Sequence, residues 1–350
     1  MYIKVNQSLK FQNQKQPEKL KRYYESEDKL KKYIKEENYK LNEIALNTNK
    51  VFNNNFDIKS KEYPIFQLNY HKKAVNCLLL LKDGRMASTS DDGSLIIYHK
   101  ITYKPDLIIQ EYDNIKCLTQ LNSGTIAYCF DNIKIKLFNI NGNNYKILQT
   151  LHYHTGTVCK IIELENKNLI SCSFDGYLVV YSMENNEYKL NYKIKANNKC
   201  YSVIQTKNNE ICYSDNYGFM NDDYDICFYD IFKRKKLETI NGIRGRDLFM
   251  IRDNLLLIGG YKLSIIDVNV HNLIRIVNIV SWTNAFCLIN ENTLLTGDSS
   301  GAIIQYKIQD NNLILIYKKE NAHNAHITSL LNLSNNQFAS GSHDHTIKIW

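Results

Sequence analysis

Residues 327–350 read ITSLLNLSNNQFASGSHDHTIKIW. A short apolar run opens the stretch, a polar turn follows, then come small residues, a tight turn holding Asp344, and an alternating run that closes on Trp350. Brief alternating runs bounded by Asn, Ser, Gly and Asp read as three strands joined by two turns. The same 24-residue pattern stands at 75–98, VNCLLLLKDGRMASTSDDGSLIIY, and at 158–181, VCKIIELENKNLISCSFDGYLVVY. In each copy an Asp lies six residues before the closing aromatic: Asp92 before Tyr98, Asp175 before Tyr181, Asp344 before Trp350. His71, His154 and His323 each stand four residues before the apolar residue that opens the first strand, Val75, Val158 or Ile327.

Weaker copies fill the intervals. The closing positions, Tyr98, Phe138, Tyr181, Tyr229, Ile266, Tyr306 and Trp350, are 37 to 48 residues apart, around the ~40 to 45 residues of a four-stranded propeller blade. Seven copies fit with none left over, so the spacing predicts an all-β, seven-bladed β-propeller of four-stranded blades over 62–350. The sequence reaches Trp350 at the end of a third strand. The segment 63–70, with Ile65, Phe66 and Leu68, is therefore expected to supply the fourth strand of blade seven and close the ring, which removes exposed edges.

On these residues, 71–350 resemble the WD-repeat (WD40) β-propeller family. The likeness is strongest in the last copy, where Ala322-His323 stands in place of Gly-His, followed by Ser340-Gly341-Ser342-His343-Asp344 and Ile347-Lys348-Ile349-Trp350. Copies two, four, five and six lack the Gly-His element, and Asn132 and Ser300 occupy the Asp offset in two of them. The resemblance implies a hydrogen-bonded network in each conforming blade, joining the His, a Ser or Thr of the second strand, the Asp of the turn and the aromatic. His71, Asp92, His154, Asp175, His323, Asp344 and Trp350 are then structural. The rival reading is catalytic His and Asp pairs, but one pair repeated in three separate blades suits a scaffold better than a single active site.

Composition narrows the function classes. The chain is 44% hydrophobic and 23% charged, with 3 Pro and 14 Gly, the balance of a globular protein rather than a linker or collagen. Its 44 Asn, with abundant Lys, Ile and Tyr, follow AT-rich codons, so Asn clusters in loops carry little weight. Residues 1–60 hold 13 Lys+Arg against 8 Asp+Glu out of a net +8, which leaves the body near neutral. A nucleic-acid binder would need a basic stripe there. No run of ~18 apolar residues occurs and the first twenty residues lack the apolar core of a signal peptide, so cytoplasm or nucleus is expected. Nine cysteines, an odd number, argue against a disulfide framework. Cys77, Cys117, Cys159, Cys200 and Cys287, with Ser329 and Phe249, align at one position of the first strands, which predicts small buried slots for reduced thiols. A metal site at His152, His154, Cys159 and Cys172 has no Cys-x-x-Cys pair to anchor it, so no metal and no cofactor is expected. The chain also lacks a phosphate loop ending in Lys-Ser or Lys-Thr, His-Glu-x-x-His and Gly-x-Ser-x-Gly, and no enzyme is predicted.

The acidic stretch 215–225 lacks the terminal Glu of a calcium loop and reads as a long turn between the second and third strands of blade four. Turns of that kind share a face with those entering the first strands, and the resemblance implies that this face holds proteins or peptides. Lys72, Lys73, Asp91, Phe174, Tyr217, Phe219, Asp222, Asp223, Arg244, Arg246, Trp282 and His343 are placed there, against the plainer reading of a mixed polar loop surface. Aromatics and Arg dominate interface energetics, which puts Trp282, Tyr217, Phe219 and Arg246 first. Lys233–Lys236 is expected on the opposite face, between blades four and five, as a solvated turn or a basic signal. Residues 1–16 read as disordered and 17–47 as a helix opened by Pro17, with Leu20, Tyr24, Leu30, Ile34, Leu41 and Ile44 on one stripe. This helix is a short coiled coil, hence a possible homodimer, or a solvated helix. Residues 48–61 read as an Asn-rich linker. The function expected is a non-enzymatic interaction scaffold, or a substrate-recognition subunit of a larger complex. The alternative is an anionic-lipid or nucleic-acid module using the basic loops and N-terminus.

Overall fold

The computed structural model describes residues 56–207, 209–216, 224–333 and 336–350. The helix and the disordered segment expected before residue 48 lie outside these residues, as do Tyr217, Phe219, Asp222 and Asp223.

The runs of small and β-branched residues, Met86–Ser90, Ile126–Phe130, Leu169–Ser173 and Phe338–Ser342, are second strands in which every residue is buried. Such a strand is covered on both faces by neighbouring blades, so it carries no polar-out alternation. At Gly341 a Cβ would lie 2.8 Å from Val75 Cγ1 of blade one. Only a hydrogen fits where these two blades meet. Seven separate four-stranded antiparallel sheets result, six of them simple meanders. They span 75–110, 115–151, 158–195, 200–243, 245–278 and 283–319, with blade seven built from 327–349 and 66–68. The closing residues align as expected, since Met86, Ile126, Leu169, Ile211, Leu256 and Leu294 pair Tyr98, Phe138, Tyr181, Tyr229, Ile266 and Tyr306.

Blade seven takes its outer strand from the other end of the sequence. Phe66, Gln67 and Leu68 pair antiparallel with Ile349, Lys348 and Ile347. Each core cluster lies between two successive blades, as with Leu95, Ile97 and Ile109 of blade one against Ile115, Tyr128 and Phe138 of blade two. The hydrophobic effect therefore holds blade to blade around the ring.

Two readings are corrected. The five aligned cysteines do not share a register. Cys77 and Cys117 follow the first-strand bulge, as Ser329 does, but Cys159 is the bulged residue, Cys200 opens its strand and Cys287 lies two residues further along. The 233–236 run is not between blades but in the hairpin joining the third and fourth strands of blade four, Tyr224–Asp230 and Lys235–Ile243. In addition, the end of the segment read as a linker is packed, with Phe56 and Ile58 buried and a 3-10 turn at Ile58–Ser60.

Candidate functional site: a loop face built around Arg246

The turns that enter first strands and those that join second to third strands share one end of every sheet. His and Asp fix them in the conforming blades. His154 Nδ1 faces Asp175 Oδ2 at 2.9 Å and its Nε2 meets Ser171 Oγ at 2.7 Å, with the Tyr181 hydroxyl 3.0 Å beyond. The carboxylate can only accept, so Nδ1 donates to it, and both ring nitrogens are engaged within the blade. Blade seven repeats the pattern: His323 stands 2.9 Å from Asp344 and 2.7 Å from Ser340, which also accepts from Trp350 Nε1 at 2.8 Å. In blade one Ser94 intervenes, 2.7 Å from His71 Nδ1, while Asp92 stands at 3.5 Å and Ser88 meets Nε2 at 2.6 Å. Burial pushes the Asp92 and Asp344 carboxyls up, but hydrogen bonds from the His, from Ser94 or Thr346 and from turn amides prevail, holding both well below the usual carboxylate range.

In two departing blades the Asp moves to the end of the second strand. Asp298 Oδ1, not Ser300, accepts from the Ser300 and Ala302 amides, and Asp215 accepts from the Asn197 and Asn198 amides.

Every first strand carries a bulge just after its opening residue, where the pairing register shifts: Asn76, Lys116, Cys159, Tyr201, Arg246, Asn284 and Thr328. A bulge re-aims its side chain, and adjacent first strands pack together, so these residues reach across blade boundaries. Asn76 Nδ2 donates to Ile115 O at 2.8 Å and Lys116 Nζ lies 2.7 Å from Asp91.

Blades three to six use this ring to build an aromatic row. The Arg246 guanidinium carbon lies 4.5 Å from the Tyr201 ring centre and 5.2 Å from that of Trp282. Tyr261 meets Trp282 edge-on at 4.7 Å, Tyr224 meets Tyr201 edge-on at 5.5 Å, and Phe174 packs on Tyr201 at 4.6 Å beneath Lys199 Nζ, 5.3 Å from its ring. Arg246 Nε faces Asp247 Oδ2 at 3.5 Å. Burial disfavours the guanidinium charge, but Asp247, Tyr224 and Tyr201 outweigh it and raise the Arg246 pKa above its ordinary value. The cation lies over both rings, where its attraction to the aromatic faces leaves its N–H groups able to donate.

Of the residues singled out from the sequence, Trp282, Arg246 and Phe174 meet in this row. The Arg244 carbonyl accepts from the Tyr261 amide at 3.0 Å. Asp91, His343 and Lys72 lie on the other arc, from blade seven to blade one. There Asp91 is held by Asn76 and Lys116, the exposed His343 ring stands 5.1 Å from His326, and the Lys72 amide donates to Asp92 at 2.6 Å. Tyr201, Tyr261, Lys199, Lys116 and His326 escaped the sequence reading. The bulge stands five residues after the His in the conforming blades (76, 159, 328), but blades four and five have no such His to count from, so this offset does not reach Tyr201 or Arg246.

The opposite face holds an open depression of about 1390 Å³. Its Glu210 is engaged by Thr206 at 2.7 Å and His271 at 3.0 Å. In the basic run, Arg234 stacks on Tyr192 at 4.2 Å and Lys233 stands 3.7 Å from Asp230. Burial pushes the Cys77 and Cys287 thiols up to about 12, which keeps them protonated and unreactive.

The model of the family described as WD domain, G-beta repeat, matches residues 62–99 and 315–350, the closing strand with blade one and the end of blade six with blade seven. Those two stretches are WD repeats, set in a seven-bladed β-propeller. Among solved structures, this WD-repeat chain is similar to the crystal structure of the WD40 β-propeller domain of Doa1, with 16% identity, 82% of this chain and 95% of that chain covered, and a TM-score of 0.67. That likeness shows the fold alone. No curated protein matches the WD-repeat chain in sequence.

Proposed function

We propose that this WD-repeat propeller is a non-enzymatic scaffold that binds a protein or peptide on the loop face around Arg246, as a hub or as the recognition subunit of a larger assembly. The observation that carries the reading is the stacked Arg246 between Tyr201 and Trp282, extended by Tyr261 and Phe174. Aromatic and Arg side chains prepositioned on rigid loops bind with little ordering cost. WD-repeat propellers generally serve protein interaction, which supports the same reading. Affinity capture from native lysate with the natural chain and with Trp282→Ala/Arg246→Ala, followed by quantitative mass spectrometry, tests it. Partners should fall at least tenfold with the double variant. Partners retained by it and stripped by moderate salt would favour a basic-loop contact with anionic lipid or nucleic acid instead.

A further inference from the structure

The third-strand residue just before each closing position is buried in all seven blades: Ile97, Leu137, Val180, Phe228, Ile265, Gln305 and Ile349. Six are apolar and one is an amide, 3% exposed. Each faces the seam to the next blade, which is filled in most cases from the hairpin of that blade's third and fourth strands, either its turn or the start of its fourth strand. Tyr103 fills it beside Ile349, Tyr188 beside Leu137, Ile231 beside Val180, and Leu313 beside Ile265. His271 stacks on Phe228 at 4.1 Å.

Blade seven has no such turn, because its fourth strand comes from residues 66–68. The seam between blades six and seven is filled by Phe56 and Ile58 instead, packed with Leu295, Ile327, Phe338 and Trp350. Gln305 reads the main chain of that segment in both directions: its Oε1 accepts from the Ile58 amide at 3.1 Å and its Nε2 donates to the Phe56 carbonyl at 3.3 Å. A buried amide at a position that is otherwise apolar costs free energy unless both ends are satisfied, and here a peptide backbone satisfies them.

We propose that the seam between blades six and seven is a binding cleft for a short peptide segment of the pattern Phe-x-Ile, held through its main chain by Gln305 and filled in this chain by Phe56, Asp57 and Ile58. The cleft is separate from the Arg246 face, and its occupant in cis completes a seam of the kind that five other blades complete from their own hairpins. Withdrawal of residues 56–58 opens it to a peptide of the same pattern in trans.

The test uses the full chain with Phe56→Ala/Ile58→Ala and a fluorescent peptide spanning 53–62, NNNFDIKSKE, read by anisotropy. The double variant should bind the peptide, and the natural chain at least a hundredfold more weakly, because its tethered segment competes at high effective concentration. A peptide with Ala at both anchor positions should not bind. Adding Gln305→Leu should weaken binding roughly tenfold, as loss of two hydrogen bonds implies. A folded double variant that ignores the peptide, or binds the Ala peptide equally well, overturns the proposal. Hydrogen exchange on the natural chain decides the matter should the double variant fail to fold. The Ile58 amide should exchange at least a hundredfold more slowly than in the free peptide, and exchange at the free-peptide rate overturns the proposal.

Discussion

Asp175 accepts three hydrogen bonds, from His154 Nδ1 and from the amides of Thr155 and Tyr177 at 2.8 and 3.0 Å. Truncation to Ala strands a buried imidazole N–H and two turn amides, and unsatisfied buried donors cost about 1 to 3 kcal/mol each before relaxation. Asp175→Ala should therefore lower stability by about 2 to 4 kcal/mol in chemical denaturation, with an unchanged slope on denaturant, whereas a loss below about 0.5 kcal/mol would show that the turn holds without it. These residues were legible in the sequence because their spacing is local: His, Ser, Asp and aromatic sit at fixed offsets within one blade. Tyr201 was not, since blade four lacks the His that sets the offset, and its contacts with Arg246 and Phe174 join three blades.

At the level of strands, the second strand of each blade is the packing element. Gly341 faces Val75 across the seam between blades seven and one, with Leu78 Cγ a further 3.4 Å contact for an added Cβ. Gly341→Val should cost about 1 to 3 kcal/mol by overpacking, read as a lower melting temperature with the natural circular dichroism. Natural stability would mean that the seam is looser than these distances state. Strand order and ring closure were legible from the 24-residue pattern, and the bulges were not. A bulge shifts pairing by one residue without changing the apolar pattern around it, which is why the cysteines looked aligned and occupy different registers. The packed Phe56 and Ile58 were hidden for another reason: two apolar residues within Asn- and Lys-rich sequence carry no periodicity, and their partner Gln305 is 247 residues from Ile58.

Across the whole ring, buried titratable groups set how stability depends on pH. Burial lowers the His323 and His326 pKa values below 6.5, His326 to about 4. A folded-state value below the unfolded one means that stability is full above about pH 6.5 and is lost as pH falls towards 4. Asp92, Asp175 and Asp344 are also held below their ordinary value, so their contribution is full above about pH 4 and disappears at still lower pH. The melting temperature should therefore fall in two steps on acidification, and His326→Gln should flatten the first. A melting temperature constant between pH 6.5 and 4 would contradict the buried, neutral state of these histidines. The whole-molecule claim is that partners meet the Arg246 face, and placing a photo-crosslinking phenylalanine analogue on each face tests it most directly. Tyr261 is 50% exposed in the aromatic row, and Phe232 is 81% exposed in the hairpin on the opposite face. Crosslinks to captured partners from position 261 and none from position 232 are the predicted result, and the reverse pattern would contradict the account.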